Sequence, residues 1–226
     1  MKHALTIIAL STPLTALAAM DEMHEGAVSF VQADRLEYQE EAETGLWDLQ
    51  GWSGFDQQKL WWKTEGDKEE AELQLLYSRA VSTFFDFQAG LRHDFEPDPQ
   101  RTFAVIGLQG LAPQWFEIDT ALFIDDDGKI SLRFEAEYEM LLTQKLVLQP
   151  RLELNLGASD EPEYALGSGL RDLEFGLRLR YELHRKFAPY VGVEWHSLYG
   201  DTADFANAAD ESSHSTTFVA GVRAWF

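Results

Sequence analysis

Residues 130–140 read ISLRFEAEYEM, and the alternation within them decides the fold. Taken two apart, Ile130, Leu132, Phe134, Ala136, Tyr138 and Met140 form an apolar set, and Ser131, Arg133, Glu135, Glu137 and Glu139 form a charged one. A period of two is that of a β-strand, whose side chains point alternately to opposite faces. Three acids on one face are more charge than the solvated side of a soluble sandwich usually concentrates. A wall that is apolar outside and ionic inside is what a transmembrane β-barrel requires.

The same pattern recurs along the chain. In Lys145–Gly157 the set Leu146, Leu148, Pro150, Leu152, Leu154, Leu156 opposes Gln149, Arg151, Glu153, Asn155. In Leu170–Leu183, Leu173, Phe175, Leu177, Leu179, Tyr181 and Leu183 oppose Glu174, Gly176, Arg178, Arg180 and Glu182. Further strands are predicted at Val28–Gln39, Leu46–Gly54, Lys59–Glu65, Glu70–Arg79, Thr83–Asp94, Arg101–Leu111, Gln114–Asp125, Lys129–Leu141, Phe187–Tyr199 and Ser215–Phe226. Pro150 on a central strand removes a ladder donor, which predicts a bulge near the short-turn rim. Connections alternate between tight turns (Phe55–Gln58, Ala80–Ser82, Ala112–Pro113, Leu142–Gln144, His184–Lys186) and longer acidic loops, the longest Gly200–His214. Short turns at one end and long loops at the other define an outer-membrane barrel, with the short turns periplasmic. The last strand sets Phe218, Ala220, Val222, Ala224 and Phe226 on one face, the terminal pattern by which such barrels are assembled. The predicted fold is therefore all-β: one antiparallel, up-and-down transmembrane β-barrel of about twelve strands over residues 28–226.

Composition bounds the rest. Met1–Ala19 has a short basic start, an apolar stretch and Ala16-Leu17-Ala18, the pattern of a removed secretory signal peptide. Residues 20–27 are expected to form a short polar periplasmic arm. No later segment has the roughly 18 consecutive apolar residues a membrane helix needs. The mean hydropathy of −0.27 suits a soluble protein, but also a barrel whose alternate residues face a polar lumen. The chain has no cysteine, which excludes disulfides, thiolate metal sites and Cys nucleophiles. A net charge of −21 argues against nucleic acid as a partner and against a polybasic lipid-binding surface.

The inward faces carry both signs: Arg35, Glu37, Lys59, Lys63, Glu72, Asp86, Arg92, Glu117, Asp119, Arg133, Glu135, Glu137, Arg151, Glu153, Glu174, Arg178, Arg180, Glu194, His196 and Arg223. Unpaired charge in a narrow lumen is costly, so most are expected to pair across strands and partly fill it. Glu135, Glu137 and Glu139 then read as half of an ion-pair lattice with the arginines of the adjacent strands.

Several stretches resemble the copper resistance protein B family, outer-membrane proteins of bacterial copper tolerance. They are WDLQGWSGFDQQKLWWKTEG (Trp47–Gly66), ELQLLYSRA (Glu72–Ala80), FFDFQAGLRHDF (Phe84–Phe95), VIGLQGLAPQWFEID (Val105–Asp119), LLTQKLVLQPRLELN (Leu141–Asn155), GSGLRDLEFGLRLRYE (Gly167–Glu182), FAPYVGVEW (Phe187–Trp195) and VAGVRAWF (Val219–Phe226). The resemblance covers essentially all of Val28–Phe226. It implies a bacterial outer-membrane barrel that binds copper ions or conducts them across that membrane, beside periplasmic copper-binding or copper-oxidising partners. Many members carry a long Met/His-rich segment before the barrel, reduced here to Met20, Met23 and His24.

The candidate metal ligands are Met20, Met23, His24, Glu194 and His196. Thioether with imidazole suits Cu(I), though a short acidic terminus has the same composition. Glu194 and His196, two apart on one strand face, could both reach one lumenal ion, yet a His beside an acid is commonly an ion-pair member. His93 points outward, His214 lies in an acidic loop, and His184 is flanked by Arg185 and Lys186. A barrel hydrolase would need Ser and His on the lipid-facing side with an orienting acid or amide. Ser212 and His214 fall in a loop, and Ser197 opposes His196, so no enzyme is expected. The competing reading is a structural or small porin-like outer-membrane barrel with no specific copper role.

Overall fold

The computed structural model describes residues 26–40 and 44–226. Each alternating stretch in them has become a strand: β1 (Val28–Gln39), β2 (Thr44–Phe55), β3 (Gln58–Gly66), β4 (Ala71–Ala80), β5 (Phe85–Glu96) and β6 (Arg101–Ala112). β7 (Phe116–Asp125), β8 (Ile130–Tyr138, resumed at Met140–Leu141), β9 (Leu146–Gly157), β10 (Gly169–Tyr181), β11 (Phe187–Leu198) and β12 (His214–Trp225) follow. Every strand pairs antiparallel with the next, and β12 pairs back onto β1 from Gln32↔Trp225 to Gln39↔Val219. At that seam the Phe226 N–H donates to the Val31 carbonyl at 2.9 Å. Closure leaves no strand edge, the condition for placing a sheet in hydrocarbon.

Burial is inverted relative to a soluble sheet. Leu91 is 59% exposed on the outer face, as are Leu75, Ile106 and Val191 to similar degrees, whereas Arg35, Glu37, Arg151, Arg178 and Arg180 are buried inside. Ionised side chains are almost never fully buried unless paired, and large apolar ones seldom stand exposed in rows. Such an outer face suits a bilayer, and the inner one supplies its own counter-charges.

Two departures from the alternation matter. The expected bulge at Pro150 is absent. The β8–β9 register is the same on either side of it (Arg151↔Glu137, then Leu148↔Met140), so no extra residue is inserted. The missing proline N–H instead interrupts the ladder at Glu139, splitting β8. The irregularity that does reshape the lumen lies on β1, where pairing passes from Ala33↔Leu49 to Arg35↔Asp48. Asp34 is the additional residue, and the bulge turns both Asp34 and Arg35 inward.

The long connection after β11, where the alternation predicts only loop, contains helix α1 (Gly200–Ala208). It is held by burial of Thr202 and Ala206 and by the Thr202 Oγ1, which accepts from the Gly167 N–H at 2.8 Å. Inside, one wall is apolar: Leu76, Phe103, Val105 and Phe123 are buried, with Trp61 and Ala121 packed against them.

If the outer face lies in lipid, Ile106→Lys at the middle of β6 is expected to destabilise the barrel by about 2–4 kcal/mol. The same change on a water-exposed strand would stay within about 0.5 kcal/mol. Urea unfolding of the barrel refolded into lipid vesicles separates these outcomes.

Candidate functional site: the charged lumen

Strand register places like charges directly opposite one another on the inner face. Glu117 faces Glu137 and Asp119 faces Glu135 across β7–β8; Glu65 faces Glu72 across β3–β4; Glu153 faces Glu135 on one side and Glu174 on the other. Such pairs repel unless a cation is inserted between them. The cations come both from the same and adjacent strands and from across the lumen, and the lumen is organised by where they land.

Arg151 on β9 donates to Glu135 at 2.8 Å, Glu153 at 2.6 Å and Glu174 at 2.7 Å, with Glu137 at 3.5 Å. Arg133 on β8 crosses the lumen to Glu72 at 3.1 Å and Glu65 at 3.5 Å, and also reaches Glu153 at 3.3 Å. Arg35 on β1 holds Asp48 at 3.2 Å, Glu65, and Glu174 at 3.5 Å. Shared carboxylates close these contacts into a ring: Arg35, Glu65, Arg133, Glu153, Arg151, Glu174 and back to Arg35. Guanidinium and carboxylate alternate around it, and it ties β1, β3, β8, β9 and β10 together across the interior.

Beside the ring, Arg178 holds Glu37 at 2.9 Å and Glu194 at 2.6 Å, and the Tyr190 hydroxyl donates to Glu37 at 3.0 Å. Glu139 receives both Arg180 and Arg223 at 2.6 Å. The three glutamates of β8 are thus all engaged by arginines, as the lattice reading expects. Gly176 is part of this packing: a Cβ there would stand 2.3 Å from the Arg178 Nη1.

Between the ring and the short-turn rim lies a cavity of about 480 Å³. It runs from Thr83, Phe84, Gly110 and Leu111 at the rim up to Glu65, Glu72, Phe123 and Arg133. Eight carboxylates line it (Asp34, Asp48, Glu65, Glu72, Glu117, Asp119, Glu135, Glu137) against two cations, Lys63 and Arg133. Lys63 is spent on Asp119. At this end the lumen also carries an aromatic arc, Trp225–Phe30–Trp52–Trp61, with neighbouring ring centroids 6.1 to 6.3 Å apart.

Toward the long-loop end, guanidinium and ring alternate: Arg133 over Phe123 (5.7 Å), Arg92 over Phe123 and Phe103 (4.8 and 5.3 Å), Arg101 over Phe103 and Tyr164 (4.7 and 4.1 Å). Arg101 also binds Asp125 at 3.0 Å and Glu161, and Glu161 binds Arg171. The loop between β9 and β10 is thereby fastened to β6.

Among the candidate ligands, Met20, Met23 and His24 lie outside the described residues. Glu194 and His196 share the lumen face but are engaged separately. Glu194 is held by Arg178 and by the Gln39 amide at 3.4 Å. The His196 Nε2 lies 4.0 Å from the Asp172 Oδ1, with the imidazole well exposed toward the long-loop end. His93 points outward and bonds the Thr102 hydroxyl at 2.8 Å. His214 heads β12, its Nδ1 3.1 Å from the Ser197 hydroxyl. Among the described residues no group of three or more His, Asp or Glu side chains is arranged to hold a metal ion.

Sequence reasoning missed several residues that matter. Asp172 and Glu65 share the parity of the inward residues and lie within the strands Leu170–Leu183 and Lys59–Glu65, so parity alone could have found them. Asp34 was hidden by the bulge, and Glu161 by its place in a loop.

A closed barrel of this size, apolar outside and charged within, defines a porin-like barrel protein. The NanC porin superposes with a TM-score of 0.55 at 12% identity, over 87% of this chain and 99% of the porin. The KdgM porin gives 0.51 at 14% identity, over 88% and 99%. At such identities the likeness is one of fold. The sequence relatives are more specific. The model of the copper resistance protein B precursor family matches residues 27–226. Copper resistance protein B of Escherichia coli is 43% identical over 90% of this chain and 72% of its own length. A homolog from Pseudomonas syringae pv. tomato is 44% identical over 91% and 72%. The chain belongs to the copper resistance protein B family.

Arg178→Gln is expected to cost about 3–5 kcal/mol, because it leaves Glu37 and Glu194 buried without their cation. Adding Glu37→Gln is expected to recover a large part of that loss. Denaturant unfolding of the two variants in lipid reads both values.

Proposed function

We propose that the protein resides in the bacterial outer membrane and handles copper there, binding copper ions or conducting them across the membrane. The observation that carries this reading is the acidic cavity, found in a chain whose relatives bear the name of copper resistance. Carboxylates in excess over cations raise the local concentration of metal cations at low-dielectric walls. Carboxylate and imidazole suit Cu(II), and thioether suits Cu(I).

The short-turn end faces the periplasm in this reading, so the segment preceding β1 and the cavity open to the same compartment. Met20, Met23 and His24 would deliver or collect copper at that end, in exchange with periplasmic copper-binding or copper-oxidising proteins. His196, with Asp172 rather than Glu194 as its nearest acid, would be the ligand at the opposite end. The protein acts without catalysis. The ion-pair ring across the lumen favours one competing reading, a structural barrel with no copper role.

Calorimetric titration of the refolded barrel with copper discriminates. The full mature chain is expected to bind, and removal of residues 20–25 or the change His196→Ala is expected to weaken binding by roughly tenfold or more. No binding by the intact barrel, with unaltered copper tolerance when it is deleted from the cell, leaves the structural reading standing.

A further inference from the structure

We propose that Arg133 is the gate of the lumen. With its guanidinium in the ring, the cavity at the short-turn end is closed. When the guanidinium leaves, the cavity joins a polar route to the long-loop end.

Arg133 differs from the other ring arginines in three ways. Its side chain is 20% exposed and forms part of the cavity wall, whereas those of Arg35 and Arg151 are 5% and 4% exposed. None of its contacts is shorter than 3.1 Å, whereas Arg151 holds three acids at 2.6 to 2.8 Å and Arg35 is closely paired with Glu65. Above all, its departure leaves every carboxylate it touches with another guanidinium. Glu65 keeps Arg35, Glu72 keeps Arg92 at 2.8 Å, and Glu153 keeps Arg151. Loss of Arg35 would strip Asp48 of its cation, and loss of Arg151 would strip Glu135. Leaving a buried ion unpaired is the main cost of breaking such a network. Among the three ring arginines, only Arg133 can leave without stranding a carboxylate, so the cost falls on its own guanidinium alone.

A row of polar side chains continues beyond it. The Arg133 Nε donates to the Asn155 Oδ1 at 3.3 Å, the Asn155 Nδ2 donates to Asp172 at 3.0 Å, and His196 stands beside Asp172 at the exposed end.

The gate rests on the conduit reading for its use, but it concerns any small ion and is tested without copper. Purified wild-type and Arg133→Gln barrels are reconstituted in planar bilayers in KCl, their folding checked by heat-dependent migration in gels. The wild type is expected to show brief openings from a closed baseline, and R133Q sustained conductance several-fold higher on average. Arg133→Lys, which keeps the charge but cannot span three carboxylates, is expected to fall between them. Equal conductance of R133Q and wild type overturns the proposal, as does a wild type that is continuously open. Failure of R133Q to fold also overturns it, because the lattice must survive without that guanidinium. If copper does not bind while R133Q opens, the gate stands and the copper reading falls; the reverse outcome separates them the other way.

Discussion

The structure depends on neutralising guanidinium groups away from water by carboxylates borne on other strands. A buried ion costs several kcal/mol to desolvate and recovers that only from close, correctly aimed partners. Arg35, Arg151 and Arg178 are nearly sealed from solvent, and each is met by at least two acids. Those acids sit where they do because of strand register. A slip of one residue in any pairing would turn a charged row toward lipid and an apolar row into the lumen. The ion-pair lattice and the barrel closure therefore enforce one another. Gly176 belongs to the same constraint, since its missing side chain is the space the Arg178 guanidinium occupies.

The lattice is also unbalanced in a useful direction. Small barrels of about eight strands fill with side chains, and those of sixteen or more hold an aqueous channel. This one is intermediate. On the β9–β12 side it is packed with arginine pairs, and on the β3–β8 side it leaves an acidic cavity. Carboxylate surplus faces the cavity, while the guanidinium groups concentrate in the ring and beside it. The acidic cavity therefore ends against a barrier of guanidinium groups.

Much of this was legible in the alternation. The strands of Ile130–Met140, Lys145–Gly157 and Leu170–Leu183 carry a clean period of two, so their faces and the existence of pairing between their charges followed directly. What parity does not contain is the partner of each charge. Arg133 reaches β3 and β4, strands far away in sequence, and only the closed register shows that. Asp34 was lost because a bulge breaks parity, and α1 because nine residues, all small or polar but Phe205, carry too weak a stripe to stand out from a loop. At Pro150 the missing donor was rightly expected to disturb the ladder, but the strain was relieved by a gap in β8 rather than by an inserted residue. For the site, His196 and Glu194 were placed on the correct face, yet their partners, Asp172 and Arg178, came from neighbouring strands that spacing alone does not order.

The central claim is that the lumen is built for cations. The reversal potential of single openings under a KCl gradient tests it most directly. A potential displaced toward that of potassium, growing as the salt is diluted and screening falls, is what the acidic cavity requires. A potential displaced toward that of chloride would mean that the arginines, and not the carboxylates, govern passage, and would contradict the account.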